Sequence, residues 1–305
     1  MMKILTFGSN GLVGSSLKRN LAEKKEYDCF FSTRNDTNLF SYEETSRIIS
    51  EFKPNLIINA AAKVGGIHAN NTEGSSFLIE NLKINLNILE SIIPFPQIKL
   101  INLGSSCIYP LNVKNPIKEE YFMTGKLEPT NSPYALAKIS AIELGKTLNK
   151  EFGHQIVNLM PTNLYGPNDN FSEMKSHVIP GLIRRMHNAK INNLESFEIW
   201  GTGTPLREFL HVDDLVDGII FINKKNIQDN LINIGSGVEI TINELAQKIK
   251  KITNFQGDLI FNPNMPDGNP RKLLDSTKIN NYGWKNKIDL DYGLKEVYNW
   301  FLNNF

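Results

Sequence analysis

Apolar positions in the first half of the chain fall into short runs separated by stretches of helical spacing. Lys3-Ile4-Leu5-Thr6-Phe7 is the first run, and beyond the turn that follows it Val13, Leu17 and Leu21 recur four residues apart. That pattern predicts strand, turn, helix. Tyr27 to Ser32 reads as a second strand, Leu56-Ile57-Ile58-Asn59 as a third, Leu100-Ile101-Asn102-Leu103 as a fourth and Ile156 to Met160 as a fifth. Between the third and fourth, Leu78, Leu82, Leu89 and Ile93 line one side of a helix that Pro94 stops. Runs this short and apolar, alternating with helices, predict right-handed crossovers and a parallel sheet covered on both faces.

From about residue 166 the alternation loosens, with Asn, Gly and Pro more frequent and shorter elements such as Phe197-Glu198-Ile199-Trp200. Val212 to Ile222 predicts a helix opening at Asp213-Asp214, Leu231 to Ile234 a strand, and Leu290 to Phe305 a closing helix. The expected fold is α/β, a Rossmann-type doubly wound parallel sheet with a smaller α/β substrate-binding cap. Residues 1–165 plus about 207–235 are assigned to the cofactor domain, and about 166–206 plus 236–305 to the cap.

Composition narrows the partners. Thirty-three Lys and Arg against 32 Asp and Glu leave a net charge of +1, which gives no reason to expect nucleic acid or an anionic membrane. No apolar run approaches the roughly 18 to 20 residues that span a bilayer. Met1 to Phe7 is too short for the core of a signal peptide and reads as a strand. The two cysteines, Cys29 and Cys107, lie far apart and without metal-like spacing, so no metal is expected and a reduced, cytoplasmic setting is.

Candidate chemistry gathers at the carboxyl ends of the predicted strands, where such sheets bind ligands. In Gly8-Ser9-Asn10-Gly11-Leu12-Val13-Gly14 the glycines let backbone approach a pyrophosphate at a helix amino terminus. The second strand ends in Ser32-Thr33-Arg34-Asn35, with Arg34 where an acid usually holds an NAD ribose; a cation there suits the 2′-phosphate of NADPH. Tyr134 and Lys138 sit four apart, on one face of a helix that Ser132 caps and Pro133 opens. A nearby ammonium is expected to favour the phenolate and lower the tyrosine's pKa. Ser105 follows the fourth strand at the same edge. Taken alone, Cys107 reads as a buried structural cysteine and His177, before Val-Ile-Pro, as a structural histidine or helix cap.

The chain resembles the extended short-chain dehydrogenase/reductases, and within them the GDP-L-fucose synthase branch. The resemblance rests on residues 59–67 (Asn59 to Ile67), Gly104-Ser105-Ser106-Cys107-Ile108-Tyr109-Pro110, Glu128-Pro129-Thr130-Asn131 leading into Tyr134, and residues 160–171. It continues through Ser176-His177-Val178-Ile179-Pro180, residues 200–209 and the Pro266-Asp267-Gly268 and Pro270-Arg271-Lys272 segments, so nearly the whole chain is covered in order. It implies a GDP-linked 4-keto-6-deoxy sugar that is epimerised at C3 and C5 and reduced at C4 by NADPH. Cys107 is then the base, His177 the acid, Ser105 and Tyr134 the donors to the ketone oxygen, and Lys138 holds the cofactor ribose.

To the cofactor site the resemblance adds Ala61, Pro161, Asn163, Leu164 and His177. To the substrate it assigns Ser105, Ser106, Cys107, Asn163, Arg185, Trp200, Arg207 and Lys272. It also implies a homodimer packed through helices of the cofactor domain. Met174-Lys175 before Ser176, and His68 after the Gly65-Gly66 loop, depart from the pattern beside the sugar pocket. They keep open a C4-reductase of another GDP-keto sugar, such as a heptose, without epimerisation. An NADP-sensing regulator is disfavoured by the retained Tyr134–Lys138 pair, and an NAD-retaining 4-epimerase by Arg34 and Cys107.

Overall fold

The computed structural model describes residues 1–305 apart from Met174, Lys175 and Pro266, and apart from the side chains of Ile67 and His68. The departures noted at Met174-Lys175 and His68 therefore lie outside the described residues. The first half alternates β1 (Met2–Phe7), α1 (Leu12–Leu21), β2 (Tyr27–Ser32), α2 (Tyr42–Phe52), β3 (Leu56–Asn59), α3 (Ile67–Thr72) and α4 (Gly74–Ile92). It goes on through β4 (Lys99–Leu103), α5 (Ser132–Phe152) and β5 (Gln155–Pro161). The second half runs β6 (Asn163–Tyr165), α6 (Val178–Ile191), β7 (Ser196–Trp200), β8 (Leu206–His211), α7 (Val212–Lys224) and β9 (Leu231–Ile234). It closes with β10 (Glu239–Thr241), α8 (Ile242–Thr253), β11 (Asp258–Asn262), β12 (Arg271–Lys272), α9 (Thr277–Asn281) and α10 (Leu290–Asn304).

The larger sheet has the order β2-β1-β3-β4-β5-β9, with every pairing parallel. From β2 the chain crosses back over β1 to reach β3, so the strand order reverses between β1 and β3. Loops leaving those two strands diverge and open a crevice at the carboxyl edge. Apolar side chains of α1 and α7 (Leu17, Leu21, Leu215, Ile219) pack on one face, joined there by Ile279 and Trp284. Those of α2, α4 and α5 (Ile49, Ile84, Ile88, Leu148) cover the other.

One helical face differs from the expected one. The buried side of α4 is Phe77, Asn81, Ile84, Asn85, Ile88, Leu89 and Ile92, whereas Leu78 and Leu82 are only half-buried. Asn85 holds its buried place over Asn59 of β3, which stands in register with Asn102 of β4 and Asn158 of β5, whereas Asn81 bonds the Lys63 backbone beyond β3 and the Phe77 carbonyl of its own helix. Asn59 Nδ2 donates to Asn85 Oδ1 at 3.2 Å and to Asn102 Oδ1 at 2.9 Å, and Asn102 Nδ2 donates to Asn158 Oδ1 at 3.1 Å. This amide ladder ties the middle of the sheet to α4, since buried polar groups are stable only when paired.

The smaller region is built on β8, which pairs parallel with β6 and β12 and antiparallel with β10. A separate pair, β7 and β11, is parallel. Its core joins α6, α8 and α10 through Ile183, Met186, Leu245, Ile249, Leu294 and Phe301.

Candidate active site

The glycine turn between β1 and α1 is shaped by contacts that leave no room for side chains. Gly8 has φ +82°, and a Cβ there would stand 2.7 Å from the Ala61 Cα; a Cβ on Gly14 would overlap the Gly8 carbonyl oxygen. Ser9 turns inward, its hydroxyl donating to the carbonyls of Thr6 at 3.2 Å and Ser32 at 2.8 Å, so it stitches the turn to β2. Gly11, Asn10, Leu12 and Val13 stay at or near the surface. The helix receives no side-chain cap from Gly11 and has no acid in its first turn. Its free N–H groups and positive end suit an anion.

Arg34 is exposed just past β2. The acid in that loop is Asp36, which sequence reasoning passed over. Its carboxylate accepts from the Thr33 amide at 2.8 Å and the Thr33 hydroxyl at 2.6 Å, and those bonds hold it below its ordinary pKa. The loop therefore presents a cation outward and turns its carboxylate back on itself. At the next strand end, Asn59 Oδ1 accepts from the Ala61 amide at 3.1 Å, and Asn81 Oδ1 accepts from the Lys63 amide at 3.0 Å. The amide ladder thus fixes the loop that faces the glycine turn.

Tyr134 lies in the first turn of α5, whose N-cap is Asn131 rather than Ser132. Lys138 is buried one turn on and donates to the Leu103 carbonyl at 2.7 Å, with its Nζ 5.8 Å from the Tyr134 ring centre. Burial pushes the lysine down to about 8. The expected lowering of the Tyr134 pKa is corrected: burial raises it, negative charge on Cys107 adds to that, and the Ser105 hydroxyl opposes it. The Tyr134 side chain is half-buried and closely surrounded by protein, and the ammonium expected to stabilise the phenolate is directed at a backbone carbonyl.

Ser105 and Cys107 occupy a tight turn after β4, where the Cys107 amide donates to Ser105 Oγ at 3.2 Å. Ser106 between them is buried. Cys107 is half-exposed rather than buried, and the Lys272 ammonium donates to its sulfur at 3.5 Å. Tyr134, Ser105, Cys107 and Lys272 are therefore contiguous. His177 stands at the start of α6, with a solvent-open side chain that makes no bond to its own helix. Protein packed around it still lowers its pKa through desolvation. Pro161 is buried at the end of β5, Leu164 packs on the main core, and Asn163 Nδ2 donates to the Glu208 carbonyl at 2.9 Å.

Cations line the other side. The Arg185 guanidinium lies 5.4 Å from the Phe197 ring centre and 5.7 Å from that of Trp200, which is about half exposed. Arg207 stands beside Lys272 in the β8–β12 register and donates to the carbonyls of Asn269 at 2.6 Å and Leu206 at 2.8 Å. Glu208 was also missed. It is fully buried, with its pKa raised by desolvation, and it accepts from the amides of Gly237 at 2.7 Å and Leu274 at 3.0 Å. A carboxylate inside an apolar strand gives no periodic signal, so pattern alone does not find it.

The chain matches the NAD dependent epimerase/dehydratase family over residues 4–235. It is 46% identical over 302 residues to GDP-L-fucose synthase 1 of Arabidopsis thaliana, covering 99% of this chain and 94% of the relative. It is 42% identical over 311 residues to GDP-L-fucose synthase of Escherichia coli (strain K12), covering 99% and 97%. Among solved structures, a GDP-6-OMe-4-keto-L-xylo-heptose reductase from C. jejuni superposes with a TM-score of 0.93 at 32% identity, covering 100% and 98%. MlghC, a GDP-mannoheptose C4 reductase from Campylobacter jejuni with NADP bound, gives 0.88 at 33% identity, covering 99% and 98%.

Proposed function

The chain belongs to the NAD dependent epimerase/dehydratase family, and we propose that it is an NADPH-dependent enzyme that inverts C3 and C5 of a GDP-linked 4-keto-6-deoxy sugar and reduces its C4 ketone. The observation that carries this reading is the contiguity of Tyr134, Ser105 and Cys107, a half-buried phenol, a hydroxyl and a thiol at one strand edge. Likeness to the GDP-L-fucose synthases supports the same chemistry.

The residues present fit the cofactor. The glycine turn admits no side chain where a pyrophosphate would approach, and the exposed Arg34, beside a self-bonded Asp36, suits a 2′-phosphate. When bound, NADPH supplies hydride to C4. Tyr134 and Ser105 donate hydrogen bonds to the C4 oxygen, which acidifies the C–H bonds on either side of the ketone. Cys107 Sγ takes a proton from those carbons, and His177 in its protonated form returns one to the opposite face; desolvation lowers the imidazole pKa and favours the neutral ring, so the proton-bearing fraction falls as pH rises. A phenol whose pKa is raised stays protonated near neutrality, so Tyr134 has a proton to give the C4 oxygen on reduction. Lys138 fixes this turn of helix to β4.

On the sugar-nucleotide side, Arg185 with Trp200, Arg207 and Lys272 form the cationic wall for the GDP moiety. The larger sheet is read as the cofactor half and the β8-centred region as the substrate half. Ile79 and Leu86, exposed seven residues apart on α4, and Leu136, exposed on the adjoining α5, favour a homodimer through those helices. Among the described residues no helix is long and apolar enough to cross a membrane. Both cysteines are free, which suits a reducing cytoplasm.

The test is to supply GDP-4-keto-6-deoxymannose and NADPH and follow the nicotinamide absorbance. Wild type is expected to oxidise NADPH, and Tyr134→Phe to do so at least about 100-fold more slowly. No oxidation with any GDP-keto sugar would refute the proposal. The likeness to the heptose reductase favours a second reading, reduction of a GDP-keto heptose without epimerisation. Oxidation with the heptose substrate alone would select it.

A further inference from the structure

Glu208, in the middle of β8, is fully buried and joins several separate segments of the chain. Its Oε1 accepts from the Gly237 amide at 2.7 Å, and its Oε2 from the Leu274 amide at 3.0 Å. The carboxylate also lies against Gly235, where a Cβ would come within 2.2 Å of Oε1, so it fills the space a side chain there would need. The Glu208 carbonyl accepts from the Thr162 hydroxyl at 3.2 Å and from Asn163 Nδ2 at 2.9 Å. Thr162 N in turn donates to the Ile234 carbonyl at 3.0 Å.

These segments come from both halves of the molecule. Residues 162–163 and 235–237 leave β5 and β9 at the carboxyl edge of the larger sheet. Leu274 lies two residues beyond Lys272, which stands opposite Arg207 in the β12–β8 register. Arg207 is the neighbour of Glu208 along β8. Because β12 is only two residues long, bonds on either side of it matter: Leu206 N donates to the Pro270 carbonyl at 2.9 Å, Leu273 N to Asn115 Oδ1 at 2.8 Å, and Leu274 N to Glu208. A carboxylate buried in a strand costs stability, which hydrogen bonds from amides offset in part. Departures of that kind gather at functional sites.

We propose that Glu208 is a positioning residue for the nucleotide end of the substrate. Its carboxylate holds β12 through Leu274 and the loop after β9 through Gly237, so Arg207 and Lys272 keep a fixed place relative to the cofactor edge. Being fully buried, it acts through those two cations and not on a ligand itself. The proposal rests on the reading of Arg207 and Lys272 as part of the wall for GDP.

The test measures binding of GDP and of NADPH by calorimetry in wild type, Glu208→Gln and Asn115→Ala. Glutamine keeps the shape but offers one acceptor oxygen in place of two, so one of the two amides loses its partner. Glu208→Gln is expected to bind GDP roughly tenfold more weakly and NADPH as wild type does. With GDP-4-keto-6-deoxymannose its KM should rise by a similar factor while kcat stays within about twofold, since binding is lost and the chemical step is not. Amide exchange read by mass spectrometry should quicken at residues 235–238 or 273–275. Asn115→Ala removes the Leu273 acceptor at a part-exposed place; it is expected to weaken GDP binding in the same direction, and it carries the test if Glu208→Gln does not fold. GDP binding of wild-type strength in the folded variants would overturn the proposal. So would equal weakening of both ligands, which marks a general loss of structure. Failure of the wild type itself to bind GDP would instead refute the nucleotide reading of the wall, and it is seen before any variant is made.

Discussion

At the scale of residues, the site is governed by which partner each charged group meets. Tyr134 and Lys138 are legible as a pair from their spacing, and the structure places them on one helical face. What spacing does not convey is that Lys138 Nζ points to the carbonyl of Leu103, 35 residues earlier, and that burial, not the neighbouring ammonium, governs the tyrosine and raises its pKa. A pH signature follows. The lysine has a folded pKa of about 8 against an ordinary 10.5, so between those values the unfolded chain binds more protons and stability rises with pH. Below about 8 the cost of burying the charge is fully present. Lys138→Met is therefore expected to be more stable than wild type at pH 7 and to melt higher, by a free-energy gap on the order of 3 kcal/mol less whatever the Leu103 bond contributes. The gap should close as pH approaches 10.5. Melting curves at a series of pH values check this, and a gap independent of pH would contradict it.

At the scale of elements, the amide ladder does what an apolar face would otherwise do, and it does so next to the site. Asn102 links Asn59 to Asn158, and Asn59 in turn orients the Ala61 amide opposite Gly8. Asn102→Leu strands two buried amides, so it is expected to cost about 2 to 4 kcal/mol in urea unfolding and to weaken NADPH binding. Unchanged stability would mean the ladder is incidental. The strands themselves were legible, because short apolar runs bounded by turn residues have few other solutions. All five early strands, β9, and the α7 and α10 helices lie where the pattern puts them. The face of α4 was not, because Asn81 and Asn85 count as polar in any hydrophobic periodicity although they are buried with partners outside the helix, Asn85 with Asn59 on β3 and Asn81 with the Lys63 backbone in the loop after it. Glu208 escaped for a like reason, since the amides of Gly237 and Leu274 reach it only through the fold, whereas the bond of Asp36 to Thr33, three residues away, is a local turn contact that was passed over.

At the scale of the whole molecule, the strand-order reversal between β1 and β3 makes a crevice, and the β8-centred region brings cations to it. Replacing both Ile79 and Leu86 by Lys on the outer face of α4 is expected to halve the mass found by light scattering while leaving the fold intact. An unchanged mass would contradict the proposed dimer through those helices. Sequence motifs nominated Tyr134 and Lys138 for the reducing half of the chemistry and Cys107 and His177 for the other half. Use of that second half depends on a substrate's carbons lying between them. The direct test is turnover of GDP-4-keto-6-deoxymannose with NADPH in heavy water, followed by NMR of the product. The account predicts deuterium at both C3 and C5, lost in Cys107→Ser. Reduction without deuterium at either carbon would contradict it.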